Sequence, residues 1–216
     1  MNAQLATLAP LPAALQSPAW ASLHHPTRRR HLGDFLIGAE ALAHFNQLLA
    51  RLRHFPLDPD QLATASRELA GQPSPTRPAS IQQRLQLAGT VEQMLSDATW
   101  QPLGEVIAPA RVVVDYVHGQ HALIPGSLPP VRQLDDAILV DAAWPHLAGE
   151  VDSYLDFCRL RAIEAELRGC AVGQFRFDRA DWLQARRAEA GLIAHGRRVG
   201  ESSYLPTPAG RSFRVY

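Results

Sequence analysis

Residues that could hold a metal ion gather in the middle of the chain. His118 and His121 form an HxxH pair, and two adjacent carboxylates, Asp135 and Asp136, follow them. Imidazole nitrogen and carboxylate oxygen are ligands for zinc, manganese and iron, so these four residues form a candidate site for a divalent metal ion. A metal-dependent enzyme that uses this region is one function that the pattern allows.

Other features of the same stretch favour a structural role. Gly119 is expected to end a helix between the two histidines, so their side chains need not share a face. The HExxH motif of zinc proteases and the paired Glu-x-x-His units of di-iron bundles are both missing. Asp135 and Asp136 fall where a helix is expected to begin, and the helix dipole favours negative charge there by roughly 0.3–1 kcal/mol each. The two aspartates are therefore predicted to cap a helix, with no cofactor bound.

Catalysis of other kinds finds little support in the sequence. All 21 basic residues are arginine, and without lysine neither a phosphate-loop lysine nor a Schiff base can form. The sequence has no GxSxG motif, and its two cysteines, Cys158 and Cys170, are predicted to be buried free thiols. No catalytic residue is predicted, and the missing motifs favour a protein that is not an enzyme.

The chain is neutral overall, but its charge is unevenly distributed. Residues 1–173 contain 13 arginines and 17 acidic residues, whereas residues 174–216 contain 8 arginines and 4 acidic residues. Within this tail, candidates for binding nucleic-acid phosphates are Arg186, Arg187, Arg197 and Arg198. Since the opposite charges cancel, the favoured interpretation is that the basic tail docks on the acidic body of its own chain or of a second copy. Docking on a second copy would make a homodimer.

A short segment resembles a bacterial family. The matching residues, in order, are Tyr116, Leu123-Ile124-Pro125, Pro129 and Leu134-Asp135-Asp136-Ala137. Their gap-free spacing, within residues 112–154, resembles that of the YkvA-like domain, whose function is unknown. The resemblance implies a helical hairpin turned by the prolines, and no particular activity. Ala122 and Gly126 stand where the family has aspartates, and Arg132 stands where it has a glycine, so only half of its carboxylates remain.

Apolar periodicity and helix-cap signals predict a mainly α protein, a helical bundle. Helices are expected over about 34–54, from a capping box at 58–61 to Gly71, from a second capping box at Ser80 and Gln83, and over 110–118. Another helix is expected to begin near 134.

Proline and glycine mark the expected breaks in the second half of the body. Pro145 and Gly149 are expected to interrupt the helix that begins near 134, before a long helix over 150–168. In the tail, QFRFD alternates like a strand, Asp178 is expected to cap a helix through Ala190, and SSYLP and SFRVY are expected to be extended. The predicted organisation is an irregular N-terminal arm (1–33), a helical domain with the proline-rich hairpin (34–173) and a small basic α/β tail (174–216).

Composition limits the class of protein. Apolar residues make up 46% of the chain and charged residues 19%, as in globular proteins. No apolar run approaches the roughly 20 residues of a membrane-spanning helix, and the first residues carry no early positive charge, so neither a span nor a signal peptide is expected. The prediction is a cytoplasmic bacterial protein, an adaptor or regulatory module that binds a protein partner or itself. A metal-dependent enzyme and a nucleic-acid binder are the alternatives.

Overall fold

The described part of the chain is mainly helical, as its apolar periodicity predicts. The computed structural model describes residues 8–16, 31–32, 34–71, 77–119, 122–128 and 131–203, with side chains as far as Val199. Within these ranges the α-helices are α1 (Ala39–Arg51), α2 (Pro59–Ala70), α3 (Ala79–Ser96), α4 (Gly104–Val117), α5 (Leu134–Leu167) and α6 (Arg179–Ser203). Two short antiparallel strands, β1 (His31–Leu32) and β2 (Phe35–Leu36), pair His31 with Leu36 and Leu32 with Phe35. The predicted mainly α class is confirmed.

The chain divides into two compact units, Met1–Arg159 and Leu160–Tyr216, here called the N-terminal and C-terminal units. The division falls within α5 rather than near residue 173, where the composition of the sequence changes. The three domains expected from the sequence (1–33, 34–173 and 174–216) stay a prediction.

Apolar and aromatic side chains fill the core of the N-terminal unit. Trp100 is 1% exposed, and its ring lies 5.0 Å from that of Phe157 and 5.8 Å from that of Tyr154. Each fully buried leucine, isoleucine or phenylalanine contributes roughly 1.5–3 kcal/mol of transfer free energy. The largest fully buried side chains are Trp100, Phe45, Phe157, Leu49, Leu62, Ile81, Met94, Leu123, Ile124, Leu134, Leu139 and Leu147.

The start of α2 follows from four consecutive residues. The Asp58 carboxylate accepts a hydrogen bond from the backbone N–H of Gln61 (2.9 Å), and the Gln61 side chain accepts one from the N–H of Asp58 (3.0 Å). Pro59 occupies the first helical turn, where its missing N–H costs nothing. The predicted capping box and the predicted end at Gly71 are both confirmed.

The capping box predicted for α3 is wrong. The helix begins at Ala79 after Pro78 and has no side-chain cap. Ser80 is buried, and the Gln83 side chain accepts a hydrogen bond from the backbone N–H of Ala9 (2.7 Å) instead. The Gln83 side chain therefore bonds to the N-terminal segment, whereas the local pattern predicted that it would bond to the start of α3.

Helices α1, α4 and α5 differ in extent from those expected. Helix α1 begins at Ala39 rather than near 34, because Phe35–Leu36 pair with β1. Helix α4 begins at Gly104 and contains Pro109, and α5 runs unbroken through Pro145 and Gly149. A proline inside a helix costs roughly 3 kcal/mol. Burial on both sides of the α5 proline offsets this cost, since the side chains of Ala142, Ala143, Leu147 and Val151 are all buried.

The strand expected at QFRFD is wrong, because Gln174 ends a turn of 3-10 helix and residues 175–178 form no regular secondary structure. Val172–Gln174 forms one turn of 3-10 helix, and the rings of Phe175 and Phe177 stack 5.8 Å apart. The Asp178 carboxylate accepts hydrogen bonds from the N–H groups of Ala180 (2.8 Å) and Asp181 (3.1 Å), which confirms the predicted cap.

Helix α6 is longer than the sequence indicated. It continues past Ala190, the expected end, to Ser203. The segment SSYLP was expected to be extended, but its two serines are helical. The rest of SSYLP and all of SFRVY lie outside the described residues.

Candidate functional site

Asp135, in the first turn of α5, is the centre of a buried hydrogen-bond cluster. Its Oδ2 atom accepts from the Tyr116 hydroxyl (2.8 Å) and from the backbone N–H groups of Leu123 (2.8 Å) and Ile124 (3.1 Å). The Leu123 N–H also lies 3.1 Å from the Tyr116 oxygen. Asp135 is only 1% exposed. One carboxylate oxygen therefore joins α4, α5 and the loop between them.

This arrangement explains the proline-rich hairpin more fully than helix capping does. All three of these partners lie outside α5, so the predicted role of Asp135 as a cap is incomplete. The carboxylate satisfies two buried backbone N–H groups that the tight bend leaves without carbonyl partners, and an unsatisfied buried donor costs about 1–3 kcal/mol. Leu123 and Ile124 are held 2% exposed as a result. We refer to Tyr116, Leu123, Ile124 and Asp135 as the loop anchor.

Burial dominates the electrostatics of the loop anchor. It raises the pKa of Asp135 above its usual range, although the hydrogen bonds from Tyr116, Ile124 and Leu123 act in the opposite direction. The pKa of Tyr116 is raised strongly, first by burial and then by the negative charge of Asp135. The Tyr116 phenol therefore stays protonated and remains a hydrogen-bond donor.

Asp136 has a different environment from that of its neighbour. Burial, followed by the charge of Asp135, raises the pKa of Asp136 to about 7. A hydrogen bond with Gln133 and the positive charges of Arg77 and His118 lower it in part. The Gln133 side chain also accepts a hydrogen bond from Arg77 Nη2 (2.6 Å).

Three of the four predicted metal ligands, His118, Asp135 and Asp136, lie in one region of the structure. They are not arranged as the ligands of one metal ion. His118 Nε2 lies 3.1 Å from Glu92 Oε2, and both side chains are about half exposed. Asp135 directs its Oδ2 atom at three donors, and a cation would have to displace them. His121 lies outside the described residues. Among the side chains that the structure does describe, no group of three or more His, Cys, Asp or Glu is arranged to hold a metal ion. The metal site inferred from these four residues stays a prediction.

A buried arginine forms a second polar cluster that the sequence did not point to. Arg84 on α3 is 3% exposed and donates to Asp141 Oδ1 on α5 from Nε (2.8 Å) and Nη2 (2.5 Å). Its Nη1 atom donates to the carbonyls of Ala9 (2.8 Å) and Ser80 (2.9 Å). The partners are up to 75 residues away in sequence, so no local spacing could have identified them.

The four arginines predicted to bind phosphate or an acidic surface all lie on α6. Arg186 is half-buried and forms an ion pair with Glu189 of the same helix. Arg187, Arg197 and Arg198 are exposed. The predicted binding role of these four arginines stays a prediction.

The second half of α6 also carries apolar residues in contact with water. Every side chain from 187 to 199 is exposed, and among them Leu192 is 73%, Ile193 52% and Val199 47% exposed. At 100° per residue, Leu192 and Val199 share a face with Ala185 and Ala188. We call these four residues the α6 stripe. Sequence reasoning missed it because the helix was expected to end at Ala190.

Comparisons with family models, with curated proteins and with solved structures give no match to this chain. Among the described helices, none combines the length and the apolar character that crossing a membrane requires. Any functional inference therefore depends on the geometry of these residues alone.

Proposed function

We propose that this protein is a protein-binding adaptor or regulatory module, and that α6 is its binding element. The observation that supports the proposal is the distribution of exposed apolar residues. Of the nine large apolar side chains exposed in the described ranges, seven lie in the C-terminal unit: Ile163, Leu167, Val172, Leu183, Leu192, Ile193 and Val199. The other two, Leu36 and Leu103, are far apart in the sequence of the N-terminal unit. Concentrated exposed apolar surface is typical of sites that bind other macromolecules.

The stability of α6 supports the same proposal. Most helices in proteins owe their stability to burial of one face, and a segment of 12–15 residues without such burial is marginal in water. Residues 187–199 are exposed on every side, and Gly191 and Gly196 each cost about 1 kcal/mol relative to alanine. A partner that covers the α6 stripe would supply the missing burial, in the way an amphipathic helix binds a groove.

The test replaces the apolar side chains of the stripe without changing charge. Tagged full-length protein and its Leu192→Ser/Val199→Ser variant are compared for the proteins that each captures, with Leu103→Ser as the matched control. Leu103 is 50% exposed and precedes the first residue of α4, where serine is a favourable cap, so this variant should fold normally. We expect a specific protein to be captured by the native chain and by the control, and to be lost with the stripe variant.

Hydrogen exchange on the purified components then locates the contact. Amides of residues 187–199 should exchange fast in the free chain and slowly in the complex. Capture that is equal in all three proteins, or a complex that leaves these amides unprotected, would show the proposal to be wrong. Copurified nucleic acid that is released by salt and by Arg197→Gln/Arg198→Gln, but not by the stripe variant, would favour the nucleic-acid alternative instead.

A further inference from the structure

Residues 8–16 form a short segment ahead of the first strand, here called the strap. Its first part is extended, with Pro12 near the polyproline II conformation (φ −47°, ψ 137°). It ends in one 3-10 turn, Ala13–Leu15, that packs against α2. Leu11 and Leu15 are both buried. The apolar anchors of the strap are therefore two leucines four residues apart, with a proline between them.

Polar side chains of the bundle bind the backbone of the strap. The N–H of Ala9 donates to the Gln83 side chain (2.7 Å), and the carbonyl of Ala9 accepts from Arg84 Nη1 (2.8 Å). Further along, Gln61 Nε2 donates to the carbonyl of Ala14 (3.0 Å). Sites that bind extended peptides work in this way, with affinity from main-chain hydrogen bonds and specificity from side-chain pockets. We call Gln61, Gln83 and Arg84 the strap site.

The bundle itself positions two of these three side chains. The guanidinium of Arg84 is held by Asp141 Oδ1 and by the carbonyl of Ser80. Gln61 Oε1 accepts from the N–H of Asp58 in the capping box of α2. Neither set of contacts involves the strap, so both donors would stay in place if the strap left. A preorganised site of this kind binds a peptide at a lower entropic cost.

Two features allow the strap to separate from the bundle without opening the core. Among the described residues, none of the largest fully buried side chains belongs to the strap. In the sequence, residues 17–30 separate the strap from β1. A connection of that length spans at most roughly 46–50 Å when extended. The strap is therefore comparable to a ligand on a tether.

We infer that the strap site is a peptide-binding site, that the strap is its intramolecular ligand, and that a partner protein displaces the strap with a segment of the same chemistry. That segment is extended, has two leucines four residues apart with a proline between them, and offers backbone carbonyls to Arg84 and Gln61. The strap seated in the site defines this ligand. The site lies in the N-terminal unit, so the inference goes beyond the function proposed for α6 and does not rest on it.

The experiment measures the binding of a fluorescent peptide with the sequence of residues 8–16, by polarisation. The native full-length chain is compared with Leu11→Ser/Leu15→Ser, which weakens the strap and leaves the strap site intact. Because the tethered strap competes with the peptide, the variant should bind the peptide at least about tenfold more tightly than the native chain. Ala13→Ser, at an exposed position of the strap, is the matched control and should bind like the native chain. A peptide with both leucines changed to serine should bind to neither.

A second pair of variants tests the strap site directly. Gln83→Ala, added to Leu11→Ser/Leu15→Ser, removes the acceptor for the N–H of Ala9 and should weaken peptide binding by about two- to tenfold. Gln82→Ala, at the exposed neighbouring position of α3, should leave peptide binding unchanged. Equal effects of the two changes would show that the peptide binds elsewhere and would overturn the inference.

Hydrogen exchange on the native chain provides a test that needs no variant. The amide of Ala9 should exchange by local opening, much faster than the buried amides of α3. Equal rates would mean that the strap leaves only when the bundle unfolds, and would overturn the inference. Loss of the helices in Leu11→Ser/Leu15→Ser by circular dichroism, or equal peptide binding by this variant and the native chain, would overturn it as well.

The oligomeric state distinguishes a partner protein from a second copy. We expect the concentration dependence of the mass of the native chain to be unaffected by Leu11→Ser/Leu15→Ser. A native dimer that this variant converts to a monomer would show that the strap of a second copy occupies the site, and would overturn the inference of a different partner. None of these measurements involves the α6 stripe, so their failure leaves the proposed function standing.

Discussion

The loop anchor and α6 differ in what they bury and what they expose: the loop anchor buries polar groups, whereas α6 exposes apolar side chains. In the loop anchor, one buried carboxylate oxygen accepts hydrogen bonds from three donors. In α6, leucine, isoleucine and valine side chains are left in water. Buried polar networks are costly to disturb because each lost partner leaves another group unsatisfied. Exposed apolar residues can be changed at little cost to the fold, which makes α6 suitable for binding.

The largest effect should follow from removing the acceptor of the loop anchor. Asp135→Ala leaves the N–H groups of Leu123 and Ile124 and the Tyr116 hydroxyl without their shared partner. At about 1–3 kcal/mol for each unsatisfied group, we expect the free energy of unfolding to fall by about 3 kcal/mol or more. Urea denaturation measures this. Asp152→Ala, at an exposed position of the same helix, serves as the control and should change stability by less than about 0.5 kcal/mol.

The pH dependence of stability should distinguish Asp136 from exposed carboxylates. Burial raises the pKa of Asp136 to about 7 in the folded chain, against about 3.9 for an unfolded chain. The folded state therefore binds this proton more tightly. The resulting stabilisation is fully present below about pH 4 and is lost as the pH rises through 7.

The Asp136→Asn variant tests the predicted direction of this pH dependence. The native free energy of unfolding should fall as the pH rises from 4 to 7, and the slope should be shallower in the variant. Part of the slope should remain, because the raised pKa of Asp135 acts in the same direction. Asp152→Asn should keep the native slope. Identical slopes in the native chain and in Asp136→Asn would contradict the assignment.

A smaller effect is expected from the tyrosine of the loop anchor. Tyr116→Phe removes one donor to Asp135 but leaves both backbone N–H groups bound to the carboxylate. We expect a loss of about 1–2 kcal/mol in thermal or urea unfolding. A loss as large as that of Asp135→Ala would mean that the hydroxyl, rather than the carboxylate, holds the loop.

The smallest effect should come from α6. A Cβ atom added at Gly196 meets no other atom within 4 Å, so Gly196→Ala should stabilise the helix locally by about 1 kcal/mol. Hydrogen exchange of the α6 amides should slow, while unfolding of the N-terminal unit stays unchanged. Gly119→Ala is the contrasting variant, because its Cβ would lie 2.8 Å from the carbonyl oxygen of Asp115. It should destabilise the hairpin, and equal effects of the two substitutions would contradict the comparison.

Local patterns predicted the class of the fold and several helix starts, but little of the candidate site. The sequence identified Asp135 and its neighbours as unusual and assigned them a cap or a metal. The bonds that Asp135 forms, to residues 11 to 19 positions earlier, depend on how the loop folds back over α5. The α6 stripe was missed because the helix was expected to end at Ala190, whereas it continues to Ser203.

The sequence by itself determined those features whose interactions span four residues or fewer. The cap of α2 by Asp58 and Gln61 and the cap of α6 by Asp178 are of this kind, since the donors and acceptors are neighbours in the chain. Tertiary structure alone decided that α5 continues through Pro145 and that Arg84 is buried against Asp141, 57 residues away. In both cases packing and long-range hydrogen bonds offset a local cost, and a pattern in a short window contains no information about those partners.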